Sequence, residues 1–217
     1  MKKQFAVIGI GRFGFSIAKK LFEAGQEVLA VDVDEELIEE SKTFVTHAVI
    51  ADSTEEESLK SIGIRNFDSV IVAIGNDIQS SILTVLLLKE LGVKHVIAKA
   101  LNKLHGKVLT KVGADLVVFP ERDMGERVAH LLLAPNVLNF IELSQDYSVE
   151  EIKIPDSMTN KTLRDLDLRA KFNISVIAIR SDNKVIISPS PDEVIDMGDV
   201  LIVLGNNKDL AKFVNLK

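Results

Sequence analysis

The chain has 217 residues, with 26 Lys plus Arg against 32 Asp plus Glu and a formal net charge of −6. Apolar residues make up 47%, enough to bury a core, which excludes intrinsic disorder. The absence of Cys excludes disulfides, thiolate metal sites and cysteine nucleophiles. Residues 1–140 carry 16 basic and 19 acidic groups and residues 141–217 carry 10 and 13. Neither part is basic, so no nucleic-acid partner is expected.

Lys2 and Lys3 precede an apolar run, as in a signal peptide. The run spans only about six residues and leads into a glycine loop, so it reads as a strand. The apolar stretch around Leu83–Leu88 is far short of the ~20 residues a bilayer needs. The expectation is a soluble, cytoplasmic protein.

Strands are expected at Phe5–Ile10, Val28–Asp32, His47–Ala51, Ser69–Ile74, His95–Lys99 and Leu116–Phe119. Helical spacing fills the gaps at Phe13–Ala24, Glu35–Lys42, Glu55–Ile62, Ile78–Leu91 and Lys103–Val112. The strands are apolar nearly throughout rather than alternating, the pattern of a parallel sheet covered on both faces. The expected fold class is therefore α/β, a Rossmann-like doubly wound parallel sheet. Gly25, Gly63, Gly92 and Gly113 each follow a helix, where a left-handed C-terminal residue is wanted. A further helix is expected over Asp123–Leu133, with Asp123 as its cap and Ala134-Pro135-Asn136 as its stop. Beyond it lie short strands at Val149–Ile154, Ile174–Arg180, Lys184–Ile187 and Val200–Leu204, separated by turn clusters. These form a small α+β C-terminal lobe, giving domains 1–135 and 136–217.

Gly9-Ile10-Gly11-Arg12-Phe13-Gly14 is a GxGxxG loop that follows a strand and opens a helix, the context the motif requires. Asp32 ends the second strand 18 residues after Gly14, near the ~20 expected of a ribose-binding acid. Gly9 suits the tight turn, Gly11 a close backbone approach to pyrophosphate, and Gly14 close packing of helix on strand. Asp32 would accept from the ribose hydroxyls and repel a 2′-phosphate. Phe13 in the loop and Val33 after the acid complete this part of the site. Ligands of open α/β sheets lie at the carboxyl ends of the strands. That brings in Asp52 and Ser53 after the third strand, Ala73, Ile74, Gly75 and Asn76 after the fourth, and Lys99 after the fifth. For each of these, ordinary loop and capping chemistry is an equal reading. Arg12 could grip terminal phosphates bidentately, reach a ligand in a neighbouring subunit, or be solvated. Glu121 could bind a cation such as Mg2+ beside phosphates, or be a surface acid ahead of a helix.

Catalytic machinery is not evident. His47, His95, His105 and His130 show no metal-ligand spacing, there is no Walker A lysine, and Tyr147 is the only Tyr. A nucleotide used as a signal explains the pattern better than a hydride-transferring, NAD-dependent oxidoreductase, which remains the alternative.

Several segments resemble the KtrA/TrkA-type potassium-uptake regulators, whose domains are called RCK (regulator of K+ conductance). They are Phe5–Gly14, Val31-Asp32, His47–Ile50, Gly63–Asp68, Val70–Gly75, Pro120–Gly125 and, near the C-terminus, Gly198–Gly205. The resemblance implies an RCK N-lobe that binds ATP, ADP or NAD(H), followed by an RCK C-lobe (TrkA-C). It implies a homo-oligomer, dimers closing into an octameric ring, beneath an integral-membrane K+ channel subunit of KtrB type at the inner face of the membrane. ATP would favour transport and ADP the inactive form. Arg12 would sense the terminal phosphate, Asp32 hold the ribose and Glu121 help hold a cation. It further implies a C-lobe site for cyclic di-AMP, an inhibitor, formed here by Arg169, Ala170, Ile174, Ser175 and Pro189. Members of the family that bind it often carry Gly-Ile-Asn where this chain has Asn173-Ile174-Ser175. Ser175 reaches less far and has no amide to read an adenine edge; a strand edge that pairs two C-lobes is the other reading of this stretch.

Overall fold

A computed structural model describes residues 2–182 and 184–214. The chain divides into two compact units, residues 1–124 and 125–217.

The first unit alternates strand and helix. The strands are β1 (Gln4–Ile8), β2 (Glu27–Asp32), β3 (His47–Ile50), β4 (Ser69–Val72), β5 (Val96–Lys99) and β6 (Leu116–Val118). The helices are α1 (Arg12–Glu23), α2 (Glu35–Ser41), α3 (Glu56–Ser61), α4 (Ile78–Glu90) and α5 (Lys103–Lys111). All neighbouring strands pair in parallel, in the order β3-β2-β1-β4-β5-β6. This is the doubly wound α/β sheet expected from the sequence.

Alternation along each strand feeds two cores. Ala6 and Ile8 join Leu29, Val70, Val85, Leu88 and Leu109 on one face. Val7, with Val28, Ala30 and Ile71, packs with Ala18 and Ile38 on the other. Chain order reverses between β1 and β4, so a crevice opens beyond their carboxyl ends. Side-chain caps start three of these helices: Asp34 accepts from the Glu36 and Leu37 amides, Asp77 from Ser80, and Asn102 from His105. Gly25, Gly63, Gly92 and Gly113 all have positive φ where their helices end.

The long helix α6 (Pro120–Leu133) starts earlier than expected. Pro120 takes its first position, where the missing N–H costs nothing. The division between the units falls within α6. Leu131 and Ala134 pack into the second unit's core.

The second unit contains β7 (Val137–Glu142), β8 (Tyr147–Lys153), β9 (Lys161–Thr162), α7 (Leu163–Leu166), α8 (Leu168–Phe172), β10 (Ser175–Ser181), β11 (Lys184–Ile187), β12 (Val194–Ile195), β13 (Val200–Asn206) and α9 (Asn207–Val214). Its main sheet is antiparallel, ordered β11-β10-β13-β8-β7, and β12 pairs with β9. Ile152, Ile174, Ile179, Leu201, Val203, Leu210 and Phe213 form its core. Strands β7, β9 and β12 and helices α7, α8 and α9 are additions to the sequence-based expectation.

Candidate functional site

The glycine loop joins β1 to α1. Gly9 has φ +91°, and a Cβ there would meet the Ile74 N at 2.9 Å. A Cβ on Gly14 would run into the Gly9 carbonyl, so both glycines are required by close backbone approach. Around Gly11 there is open space. Gly11 occupies the cap position of α1, and no side chain caps this end. The first-turn amides of α1 are thus left for an external acceptor, beside the positive end of the helix dipole.

Asp32 locks this loop to the end of β2. Its Oδ2 accepts from the Ile10 amide at 2.5 Å and its Oδ1 from the Asp34 amide at 3.0 Å. The same carboxylate retains lone pairs for a further donor. Val33, next in the chain, is exposed.

Lys99 ends β5 as a buried cation. Its Nζ meets the Glu121 Oε1 at 2.6 Å, with the Lys99 side chain 11% and the Glu121 side chain 67% exposed. The amine also lies 5.8 Å from the centre of the Phe13 ring, and a Cβ on Gly75 would approach it to 3.2 Å. The Lys99 hydrogen bond holds the Glu121 carboxyl below its usual range against a smaller burial effect, and the charges of Lys99 and Arg12 act the same way. Arg12 itself is exposed at the start of α1. Arg12, Phe13, Gly75, Lys99 and Glu121 therefore lie together, and Asp32 is tied to the same glycine loop through Ile10.

The remaining expected residues divide. Ala73 is buried behind Gly14 and Ile74 packs into the core. Asn76 is exposed. Asp52 accepts from the Thr54 amide and hydroxyl in a local turn. Ser53 is buried and its hydroxyl pairs with Thr84 Oγ1 of α4 at 2.8 Å, so its side chain ties the loop to α4. For a metal, Glu121 is already ion-paired with Lys99. Among the described residues no three His, Asp or Glu converge on a point.

In the second unit Arg169 and Ala170 on α8 and Ser175 opening β10 are exposed, and Pro189 is half-buried. Ile174 does not join them. It is 1% exposed and packs inward against Leu210 and Gly205, so it cannot lie on a ligand's base in this arrangement. Sequence reasoning also missed the buried Glu150 of β8 and its partner, the half-exposed His130 of α6, 3.5 Å away. Its one signal is the period of two, which places Glu150 on the face of buried Ile152.

A parallel sheet with this order, a glycine loop and a carboxylate on its second strand define a Rossmann-type domain, here followed by a small antiparallel lobe. Residues 5–120 match the TrkA-N domain and residues 149–217 the TrkA-C domain. The chain is 53% identical to the Ktr system potassium uptake protein C of Bacillus subtilis, over 98% of this chain and 96% of that one. It is 49% identical to the Ktr system potassium uptake protein A of the same organism, with the same coverage. Among solved structures it is similar to the GsuK RCK domain, with a TM-score of 0.57 at 26% identity over 97% of this chain and 45% of that one. It is also similar to GsuK bound to ADP, with a TM-score of 0.51 at 26% identity over 60% of this chain and 34% of that one. The chain thus spans less than half the length of those solved chains. It belongs to the KtrA-type family of potassium-uptake proteins, built from a TrkA-N and a TrkA-C domain.

Proposed function

We propose that this chain is a nucleotide-sensing, non-catalytic regulatory subunit of a membrane potassium-uptake system, with a KtrB-type channel subunit as its partner. The observation that carries the reading is the Asp32-braced glycine loop, whose uncapped helix start and open Gly11 leave backbone donors for phosphate. The family's potassium-uptake relatives and the ADP-bound GsuK neighbour support it. The ligand is an adenine nucleotide: the ribose meets Asp32 and the phosphates meet the start of α1. NAD(H) fits the same groove through the same contacts. No described helix is long and apolar enough to cross a membrane, which fits a protein working at the inner face of the membrane through its partner.

ATP favours transport and ADP the inactive form in this reading. The two ligands differ by one phosphate, and a switch needs that phosphate to interact differently with two arrangements of the protein. Arg12, exposed at the loop and within electrostatic reach of Glu121, is the residue placed to read it. Modest differences at each site add up across an octameric ring. Cyclic di-AMP inhibits at the C-lobe, contacted by Arg169, Ala170 and Ser175, with Pro189 at its edge. Arg12→Ala tests the gating step. ADP affinity should stay within about threefold, a difference under ~0.7 kcal/mol, while the ATP-specific change in the X-ray scattering of the assembly disappears. An unchanged ATP response in that variant would remove Arg12 from the mechanism.

A further inference from the structure

The second unit holds a cavity of about 370 Å³, within the size range of small-molecule sites. It is lined by residues from the end of α6, from β7 and β8, and from α9, none of which belongs to the nucleotide crevice. Its polar wall is acidic. Glu150 and Glu142 line it, none of the described lining residues is Lys or Arg, and the Ser148 hydroxyl there donates to Asn207 Oδ1 at 2.9 Å. The remaining wall is apolar and aromatic. Leu133, Ala134 and Val214 contribute to it, and the His130 and Phe140 rings lie 4.2 Å apart.

Glu150 is the unusual member. Its side chain is 6% exposed, and its cationic partner among the described residues is the His130 Nε2 at 3.5 Å, long for a charge-assisted hydrogen bond. That nitrogen is itself buried without a hydrogen-bond partner. Burial raises the Glu150 carboxyl, and the opposing pull of His130 and Ser148 does not restore it. The Arg127 guanidinium of α6 is held by the Asn139 side chain and lies 5.7 Å from the Phe140 ring centre, and Arg127 is not among the described lining residues. A buried carboxylate normally has a cation of its own. Here the space beside it is a cavity with a π-face.

We propose that this cavity binds a small organic cation. Its protonated nitrogen sits against Glu150, with Glu142 adding negative charge. Its compact apolar body lies against Leu133, Val214 and the His130–Phe140 wall. A nitrogen head needs only a few acceptors and gains from an aromatic face. A metal needs several ligands converging on one point, which the described residues do not supply.

Three ligands of one shape test this on the full chain by calorimetry: benzylamine, benzyl alcohol and benzoate. Benzylamine should bind at least tenfold more tightly than the alcohol, and benzoate should not bind. Glu150→Gln keeps the side-chain shape and should weaken benzylamine at least tenfold while leaving ADP affinity unchanged. Leu133→Trp, at a rim position that is 84% exposed, should weaken it too. Equal binding of amine and alcohol would overturn the proposal, as would full benzylamine affinity in Glu150→Gln. So would saturable binding of Ca2+ with no binding of the amine. None of these outcomes bears on the nucleotide crevice.

Discussion

Replacing Asp32 by Asn separates the acid's two duties, holding the loop and holding a ligand. The carboxylate accepts from the Ile10 amide at 2.5 Å and from the Asp34 amide at 3.0 Å. Asn retains one acceptor oxygen, so one of these bonds is lost and an NH2 group faces a backbone N–H. A hydrogen bond to a charged group contributes about 1.5–3 kcal/mol. Asp32 is only partly buried, so the low end, about 1.5 kcal/mol, applies, equivalent to roughly tenfold in a local opening equilibrium. Native-state hydrogen exchange reads this directly in the ligand-free chain. Ile10 or Asp34 should exchange about tenfold faster in D32N. The Gly25 amide, bonded to the Phe22 carbonyl at 2.8 Å, should be unchanged and serves as the reference. If both amides exchange within twofold of the original rate, the acid does not brace the loop and the pre-organised site argued above is wrong.

Ser53→Ala should cost about 1 kcal/mol in urea unfolding, the net value of one buried hydrogen bond, because the Ser53 hydroxyl is spent on Thr84. Adenine-nucleotide affinity should stay within twofold, and a tenfold loss would return Ser53 to the ligand site. Asp115→Asn tests a pH dependence. Burial pushes the Asp115 carboxyl up, but the Val96 amide, the Lys89 ammonium and His95 outweigh it, and the net shift is down. A carboxyl lowered by folding stabilises the protein above its unfolded value and loses that contribution as pH falls through the folded value. The side chain is 35% exposed, so screening limits the cost of D115N to about 1 kcal/mol at pH 7. That difference should shrink toward zero on acidification below ~pH 4; a gap that widens in acid would contradict the assignment.

The parallel sheet was legible because strands buried on both faces are written as apolar runs, and the helices between them as 3.6-residue spacing. Strand ends were less so. Ile10 and Ile74 are β-branched but lie past the strands, where Ile10 joins one core and Ile74 packs against the other. Strand β7 was hidden because its register shifts between Val137 and Asn139, and a bulge breaks the alternation that marks a strand. The burial of Ile174, which precedes β10 and joins the second unit's core, is set by packing against residues distant in the chain, a signal absent from local spacing. Buried Leu210, Phe213 and Val214 follow the i, i+3, i+4 spacing of α9, a signal present but short. At the crevice, the loop and Asp32 were readable because motif and acid have a fixed sequence spacing. The Ser53–Thr84 and Lys99–Glu121 pairs join residues on separate elements, and no local pattern announces such pairs. The Glu150 cavity likewise requires four elements to be assembled.

The most direct test of the central claim is calorimetric titration of the purified chain with ATP, ADP and NADH, with thermal unfolding followed in parallel. Saturable binding of at least one adenylate is expected, with a stabilisation approaching 2.7 kcal/mol at a hundredfold excess over Kd. Absence of heat and of any unfolding shift at millimolar concentrations of all three would contradict it.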